Sequence, residues 1–240
     1  MSVIFVSDLH LDAKRPEIGK QFLAFLEHTA PAADVVYILG DLFESWVGDD
    51  DPQPEKYRVA DALRKLSGGG TPCYFMCGNR DFLVGNDFAA NAGLGLLEDE
   101  VVIEIHGQQV LLMHGDSLCT DDLEYQAFRK MVRDADWQHQ FLALPLEKRL
   151  ATAAEARRRS IAHNAEVPET IMDVSQQAVV EVLQKHGVAT LLHGHTHRPA
   201  VHEFLLDGKP AKRIVLGDWY DQGSIVTWDQ NGPRLEALPR

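Results

Sequence analysis

The sequence is poor in several features that mark other classes of protein. Three cysteines in 240 residues cannot form a complete disulfide framework, and their spacing does not match a zinc ribbon. No apolar stretch approaches the roughly 18 residues of a membrane-spanning helix, and the start lacks a basic leader with a cleavage site. Basic residues number 23 against 36 acidic ones, and the resulting net charge of −13 disfavours nucleic acid as a partner. We therefore expect a soluble protein of the reducing cytoplasm.

The remaining composition is that of an ordinary globular protein. Apolar residues make up 45% and charged residues 25% of the chain, and 240 residues are enough for one or two domains with a hydrophobic core. Histidine is frequent, at 11 residues, and most of the informative histidines stand beside Asp or Gly. This neighbourhood is the first indication of metal chemistry.

Short apolar runs alternate with helical patterns over the first part of the chain. This alternation predicts βαβ units with right-handed crossovers, and it resumes after residue 174. We therefore predict an α/β core formed by residues 1–120 and 171–240. The predicted strands of its first half are residues 3–7, 35–39 and 73–77, and the predicted helices are residues 16–29 and 54–66.

Residues 121–170 differ in character and are predicted to form an inserted helical cap. The stretch contains helix-forming sequence with no convincing strand. Between residues 129 and 159 it carries eight basic and four acidic residues, together with several large apolar ones. The cap is thus basic and apolar at once. A pair of ordinary surface helices with one packed face explains the same pattern equally well.

Small polar motifs follow the predicted strands, at the points where the strands end. Ligands in open α/β sheets bind at that edge, and residues two apart on an extended chain, such as Asp8 and His10, point the same way. Carboxylate, amide and imidazole donors without a thiolate suit manganese, iron or zinc ions. The candidate ligands are Asp8, His10, Asp41, Asn79, His114, His195 and His197.

Each of these motifs is weak when it is taken alone. A strand-end Asp-x-His is more often a turn with a solvated histidine, and a Gly-Asp or Gly-Asn pair is an ordinary turn. His193 shares the parity of His195 and His197, so the alternation does not exclude it as a ligand. The order of the motifs, each after a strand, makes a chance origin for all of them improbable.

Taken together, the motifs resemble those of the calcineurin-like metallophosphoesterases. The matching segments are Asp8-Leu9-His10, Gly40-Asp41, Gly78-Asn79-Arg80-Asp81, His114 and Gly194-His195-Thr196-His197. The resemblance implies an αββα fold, a β-sandwich flanked by helices, with a two-metal site bridged by Asp41. It implies that Asp8, His10, Asp41 and His197 hold one ion. The ligands implied for the other ion are Asp41, Asn79, His114 and His195.

The chain departs from that family at Arg80. Most members have a histidine there, which is thought to protonate an alkoxide leaving group. Arginine is a poor general acid at pH 7 but a good bidentate clamp for phosphate. A leaving group that needs no proton, such as a phosphate monoester, fits this residue. Arg80 therefore favours cleavage of a pyrophosphate bond over cleavage of an alkyl phosphodiester.

Longer stretches resemble one branch of the family, the pyrophosphatases of lipid A biosynthesis that act on UDP-2,3-diacylglucosamine. The resemblance implies manganese-dependent attack of water on the α-phosphorus, releasing 2,3-diacylglucosamine 1-phosphate (lipid X) and UMP. It also implies peripheral attachment to the cytoplasmic face of the inner membrane, an anionic surface, by a protein we take to be a monomer. The stretches that carry the resemblance are residues 37–50, 78–83, 113–122 and 193–199.

The resemblance also implies contacts with the substrate. It places Asp41, Asn79, Arg80 and His195 in catalysis, and the branch often has a lysine where this chain has Val167. Tyr125 and Phe128 line the entrance of the cap or simply pack its helices, and Trp46 and Phe82 form either pocket wall or core. Arg158 and Arg159 form a solvated face or contact anionic lipid. The expected substrate contacts are Asn79, Arg80, Asp122, Tyr125, Arg157, Ser160, Asn164 and His195.

Two other functions remain open at this point. A pyrophosphatase or phosphodiesterase of soluble nucleotides would use the same two-metal centre, but it would not need the apolar residues of the cap. A binding module without catalysis is the second alternative, because some relatives of this fold have lost their metals. All the ligand positions are filled here, which argues against that reading.

Overall fold

The structure is a computed structural model that describes residues 1–166, 168 and 171–240, except for the side chains of residues 164–166. The described residues form eleven strands and seven α-helices. The strands are β1 (Val3–Val6), β2 (Val35–Leu39), β3 (Cys73–Met76), β4 (Leu94–Leu97), β5 (Glu100–Ile105), β6 (Gln108–Met113), β7 (Thr190–His193), β8 (Ala200–Leu206), β9 (Lys209–Val215), β10 (Gly223–Asp229) and β11 (Gly232–Leu238). The helices are α1 (Pro16–His28), α2 (Pro54–Gly68), α3 (Asn86–Ala92), α4 (Leu123–Val132), α5 (Ala135–Leu142), α6 (Leu146–Glu166) and α7 (Gln176–His186).

The strands form two sheets that pack face to face. One sheet has the order β11-β10-β1-β2-β3-β4, and the other has the order β5-β6-β7-β9-β8. β1, β2, β3 and β4 run parallel, as do β6, β7 and β9, while the remaining pairs are antiparallel. This arrangement confirms the predicted sandwich with helices outside.

Alternation along the strands explains why both faces of the central strands are apolar. In β1, Val3 and Phe5 pack between the sheets, whereas Ile4 and Val6 pack against the helices that cover the outer face. On the other sheet, Leu111 and Leu191 pack outward against α7. Successive strand residues point to opposite faces of a sheet. Because both faces of these strands are buried, their sequences are continuous apolar runs.

The predicted strands and helices of the first half are present with ends shifted by one or two residues. The prediction missed α3 and β4 between residues 86 and 97. Both are short, and β4 contains Gly95, so neither offers enough residues for a clear periodicity. β4 nevertheless extends the parallel sheet by pairing with β3.

Residues 121–170 hold three helices, α4, α5 and α6, and no strand in their described part. Four arginines of this region, the last of them Arg157, bond to residues outside it. Arg129 bonds to Asp116 and Asp99, and Arg133 donates to the carbonyls of Cys77 and Gly78 at 3.1 and 3.0 Å. Much of the basic charge of this region is therefore used in structural contacts. The division of the chain into core and cap stays a prediction.

Arg149 is the third of these arginines and is nearly fully buried. Its guanidinium pairs with Asp50 and donates to the carbonyl oxygens of Val47, at 2.5 Å, and Leu144, at 3.0 Å. These bonds join α6 to the loop after β2. Arg158, by contrast, is exposed and pairs with Glu155 on the surface of the same helix, which supports the solvated reading of that residue.

We expect Arg149→Ala to destabilise the protein by about 2 kcal/mol, because it leaves buried carbonyl groups without donors. Arg158→Ala removes the same charge from the exposed face of α6 and should change stability by less than about 0.5 kcal/mol. Urea unfolding followed by circular dichroism measures both values. If both substitutions changed the free energy of unfolding equally, the hydrogen bonds of Arg149 would not stabilise the packing of α6 on the loop after β2.

Candidate metal centre

The seven candidate ligands come together at one edge of the sandwich. Asp8 and His10 follow β1, Asp41 follows β2, and Asn79 follows β3 in the same parallel sheet. The remaining three come from the facing sheet, where β6 and β7 are neighbours. Parallel strands present their carboxyl ends at a common edge, so residues far apart in sequence meet there. The residues that follow β6 and β7 are His114, His195 and His197.

The first set of donor atoms, here called the Asp8 group, consists of Asp8, His10 and His197 with one oxygen of Asp41. The Nε2 atoms of His10 and His197 lie 3.1 Å apart. Asp8 Oδ1 lies 3.4 Å from His197 Nε2, and Asp41 Oδ2 lies 3.7 Å from His10 Nε2. Three of these side chains offer atoms within 4.8 Å of one another, which is the spacing that a shared metal ion requires.

The second set, here called the Asn79 group, consists of Asn79, His114 and His195 with the other oxygen of Asp41. Asn79 Oδ1 lies 2.9 Å from both His114 Nε2 and His195 Nδ1, and Asp41 Oδ1 lies 3.6 Å from His114 Nε2. The two carboxylate oxygens of Asp41 therefore face different groups. This geometry is what a bridging carboxylate needs.

The donors fit divalent ions by their chemistry and by one buried atom. Asp8 Oδ1 is buried without a hydrogen-bond partner among the described residues, although its other oxygen accepts bonds from Ser7 Oγ and His195 N. A buried carboxylate oxygen without a donor is costly. Mixed oxygen and nitrogen donors without sulfur suit manganese, iron or zinc.

The backbone at these residues is in an uncommon conformation. Five of the seven candidates have a positive φ: Asp8 54°, His10 51°, Asp41 54°, His195 67° and His197 56°. Left-handed backbone costs non-glycine residues about 1 kcal/mol or more and concentrates at functional sites. Its clustering here indicates that the fold holds these side chains in place against local preference.

Backbone hydrogen bonds between the loops after β1 and β2 fix the relative positions of Asp8 and Asp41. The backbone nitrogens of Asp8 and His10 donate to the carbonyls of Gly40 and Asp41, at 3.1 and 2.9 Å. A β-carbon added to Gly78 would overlap the carboxylate and backbone nitrogen of Asp41, and one added to Gly194 would overlap the carboxylate of Asp8. The glycines of these motifs are thus needed because backbone passes directly against the candidate ligands.

Asp81 is a positioning residue that the sequence analysis quoted without giving it a role. It is fully buried and accepts hydrogen bonds from the backbone nitrogens of Asp41, Leu42, Phe43 and Gly78, at 2.7 to 3.2 Å. Burial and the nearby charge of Asp41 raise the pKa of Asp81 to about 6. Its carboxylate therefore organises the loops after β2 and β3, and only the spatial meeting of those loops reveals it.

Two further acids orient histidines of the Asp8 group. Glu44 Oε2 lies 3.0 Å from His10 Nδ1, and Asp218 Oδ2 lies 3.4 Å from His197 Nδ1. Burial lowers the pKa of His197, but bonds and charge from Asp218 and Asp8 outweigh it and raise the pKa to about 10. The carboxylates around the Asp8 group therefore stabilise positive charge. The sequence analysis gave neither acid a role: Glu44 was quoted only as part of residues 37–50, and Asp218 lies outside the quoted motifs.

In the Asn79 group, His114 is oriented by the backbone. Its Nδ1 lies 2.8 Å from the carbonyl oxygen of Leu39, so Nδ1 carries a proton, and Nε2 faces the Asn79 group at 2.9 Å from Asn79 Oδ1. Burial lowers the pKa of His195 to about 4. His195 is therefore neutral at pH 7, the form in which imidazole binds a metal.

His193 faces away from the candidate ligands. It is fully buried, its Nδ1 lies 2.8 Å from the carbonyl of Gly194, and its Nε2 lies 3.4 Å from Arg213. Trp46 is also a core residue, packed against Phe43 and Phe88 at ring distances of 4.8 and 4.6 Å. Phe82 is half-buried and packs against Trp137 at 6.3 Å. These contacts decide between the alternatives that the sequence left for His193 and Trp46.

The expected substrate contacts lie around the Asn79 group and on α4 and α6. Arg80 Nε is buried with no partner among the described residues, and the Tyr125 ring stacks on His195 at 5.9 Å while its hydroxyl donates to Asp116. Arg157 pairs with Glu44 at 2.7 Å, beside His10. Asp122 caps α4 and lies 3.0 Å from His163 Nε2. Ser160 is half-buried and Phe128 is exposed; the side chain of Asn164 and residue Val167 lie outside the described part.

Comparison with known proteins identifies the family. The model of the calcineurin-like phosphoesterases matches residues 1–199. The chain belongs to the calcineurin-like phosphoesterase family. It is a hydrolase, and membership in this family implies divalent metal ions, for which the Asp8 and Asn79 groups supply candidate ligands.

Named relatives of this phosphoesterase match it over nearly its whole length. It is 52% identical to the UDP-2,3-diacylglucosamine hydrolase of Stenotrophomonas maltophilia (strain R551-3), over 100% of both chains. It is 55% identical to the protein of that name from Chromohalobacter salexigens, over 91% of this chain and 89% of the relative. A solved structure described as a novel archaeal phosphodiesterase aligns with 99% of this chain and 100% of its own, at 15% identity and a TM-score of 0.48.

We expect Gly78→Ala to lower metal content and activity together, because the added methyl group displaces the Asp41 carboxylate. Gly68→Ala is the matched control, since nothing lies within 4 Å of a β-carbon at that position. Metal analysis of the two purified variants, next to wild type, measures the effect. Full metal content in Gly78→Ala would contradict the inference that close contact between Gly78 and the Asp41 carboxylate is needed for metal binding.

Proposed function

We propose that this phosphoesterase hydrolyses the pyrophosphate bond of UDP-2,3-diacylglucosamine, releasing 2,3-diacylglucosamine 1-phosphate and UMP in lipid A biosynthesis. The observation that carries the proposal is the pair of donor groups that share the Asp41 carboxylate. The names of full-length relatives at about half identity support the substrate. Arg80 Nε, buried without a partner among the described residues, supports the binding of a phosphate oxygen there.

We propose that the Asp8 and Asn79 groups each hold one divalent ion, most suitably Mn²⁺, with Asp41 as the shared ligand. Bound at these atoms, divalent ions lower the pKa of water and stabilise negative charge on a phosphoryl group. The chain supplies the orientation: the carbonyl of Leu39 fixes the tautomer of His114, and Glu44 and Asp218 do the corresponding work behind His10 and His197. Partners behind metal ligands typically change affinity or activity by about 10- to 100-fold.

The proposed role of Arg80 is to bind oxygens of the diphosphate and to stabilise charge on the leaving phosphate. Its guanidinium is permanently charged and offers planar, bidentate donors. Burial alone would raise the pKa of Glu44, but the contact with His10 and the charges of Arg80, His10 and Arg157 together lower it. A phosphate monoester leaves without a proton, so the absence of an acid at this position is consistent with an anhydride substrate.

The remaining proposed contacts come from the Asn79 group and from α4 and α6. Asn79 and His195 lie within 2.9 Å of each other and face the ring of Tyr125. Arg157 reaches Glu44 beside the Asp8 group, which places α6 over the site. We propose that these residues, with Asp122, Ser160 and Asn164, bind the nucleotide-linked sugar. The proposal for Asn164 depends on the resemblance alone.

We propose that the apolar side chains of residues 121–170 serve the acyl chains and the membrane. Seven of the thirteen exposed large apolar side chains in the described residues lie in this fifth of the chain. Isolated exposed apolar residues are normal, but a concentration of them marks a binding surface. They are Leu123, Phe128, Met131, Leu142, Leu144, Leu150 and Ile161.

We further propose that the protein acts as a monomer attached peripherally to the cytoplasmic face of the inner membrane. None of the helices in the described residues combines the length and apolar character needed to cross a bilayer. The exposed apolar side chains of α4 and α6 offer a surface for shallow contact with lipid, as amphipathic segments do at membrane interfaces. Anionic headgroups would add attraction for basic residues nearby.

The decisive experiment is an assay on UDP-2,3-diacylglucosamine with and without manganese, in water enriched in ¹⁸O. Attack on the α-phosphorus places the label in UMP, and removal of metal by EDTA should abolish turnover. We expect Asp41→Ala to lower kcat by more than about 100-fold, since it removes a ligand shared by both groups. Asp61→Ala, an exposed aspartate of α2, is the control and should retain wild-type kcat.

Two results of this assay would contradict the proposal. Full activity of Asp41→Ala in metal-defined buffer would remove the shared ligand from the mechanism. UDP-glucose turning over as fast as the acylated substrate would instead indicate a pyrophosphatase of soluble nucleotides.

We expect Arg80→Ala to lower kcat by about 10²- to 10³-fold, the usual cost of losing one charge-stabilising donor, while metal content stays at the wild-type level. Arg159→Ala, at an exposed position on α6, should leave both values unchanged. Metal analysis and steady-state kinetics on the same preparations separate the two effects. Loss of metal in proportion to activity would show that Arg80 acts through the ligands rather than on the substrate.

A further inference from the structure

A cavity separate from the candidate metal centre lies on the outer face of the five-stranded sheet. Its volume is about 210 Å³, which is below the 300–1,000 Å³ typical of sites for drug-sized ligands. None of the seven candidate metal ligands lines it. Its walls come from the segment before α7, the loop after β7, and strands β8 and β9. The lining residues are Asp173, Thr196, Arg198, Pro199, Ala200, His202 and Arg213.

Arg213 is the central feature of this cavity. The residue is 9% exposed, and its Nε is buried without a hydrogen-bond partner. Its Nη1 lies 3.4 Å from Nε2 of the buried His193. Within the described residues, no carboxylate lies within ion-pair distance of Arg213. A guanidinium is charged at any physiological pH, so this is a buried cation without a counter-charge in direct contact.

The position of Arg213 on the sheet makes this arrangement costly. Arg213 pairs in register with Leu191 of β7 and with His202 of β8. Leu191 is fully buried beneath α7, so an apolar residue at position 213 would suit the same face. Burying an unpaired charge carries a penalty of several kcal/mol by general estimates. An anion in the cavity would remove that penalty.

The other polar groups of the cavity suit an oxyanion. Thr196 Oγ1 is buried without a partner among the described residues and can donate a hydrogen bond. Burial and the charge of Arg213 lower the pKa of His202, so its ring is neutral at pH 7 and can donate one N–H. Arg198 pairs with Asp173 at 2.7 Å, so these two charges offset each other. Among the described lining residues, Arg213 is therefore the positive charge that has no carboxylate within ion-pair distance.

We propose that this cavity binds a small free oxyanion of the size of phosphate, held by Arg213, Thr196 and His202. The charge excludes a cation, and the volume excludes a whole nucleotide. Thr196 lies between His195 and His197, so the bound anion would also brace the loop that carries two candidate metal ligands. The proposal does not depend on the identity of the substrate.

The test is calorimetric titration of the full chain with inorganic phosphate, in manganese and again in EDTA, so that binding at the metal centre can be subtracted. We expect Arg213→Met to weaken the metal-independent binding by at least about tenfold, the cost of one charge-assisted hydrogen bond. Lys209→Met removes a positive charge from an exposed position of the same strand and should leave this binding unchanged. Thermal unfolding without anion checks that each variant is folded.

Thr196→Val keeps the shape of the side chain but removes its hydroxyl group. Its phosphate affinity provides a second test if Arg213→Met fails to fold. It should weaken phosphate binding severalfold in EDTA. Unchanged binding in a folded Arg213→Met variant, or in Thr196→Val where Arg213→Met does not fold, would overturn the proposal. A parallel titration with UMP separates the sources of phosphate. If only UMP binding depends on Arg213, the free-oxyanion site is wrong.

Discussion

The carboxylate of Asp41 is the interaction on which the rest of the site depends. One of its oxygens faces the Asp8 group and the other faces the Asn79 group, so a single side chain joins donors from both sheets. The surrounding structure is arranged to hold it there: Asp81 binds the backbone on either side, and Gly78 leaves room for close approach. The left-handed backbone at five candidate ligands costs conformational free energy. Packing of the two hydrophobic clusters offsets that cost.

The helices between residues 121 and 170 combine two kinds of surface. The buried Arg149 and the half-buried Arg133 bond to the loops after β2 and β3, and Arg157 of α6 pairs with Glu44 beside His10. Their apolar side chains, in contrast, are exposed in unusual number. The same region can therefore be held rigidly at the site and still offer an apolar surface to a lipid. The net charge of the chain is −13, but basic residues outnumber acidic ones by eight to four between residues 129 and 159.

Much of the fold could be predicted because its central strands are buried on both faces. Continuous apolar runs bounded by helical periodicity identify β1, β2 and β3 with small errors at their ends. α3 and β4 were missed because seven and four residues carry too little periodicity. Among the site residues, those in strand-end motifs were recognisable. Glu44, Asp81 and Asp218 were not assigned roles, since their functions follow from which loops meet rather than from local spacing.

The sequence by itself determined the fold class, the family and the set of candidate ligands, because strand-end position and side-chain chemistry are local properties. Only the tertiary structure decided that Asp41 faces two groups of donors and that His193 turns into the core. It also decided that Arg213 is buried with no carboxylate of the described residues in contact. These facts depend on how segments that are separated along the chain pair and pack, such as those of Asp41 and His114 or of His193 and Arg213. The alternation of side chains along a strand predicts which face of the sheet each one is on. The residues that it contacts on that face depend on the facing sheet and the loops.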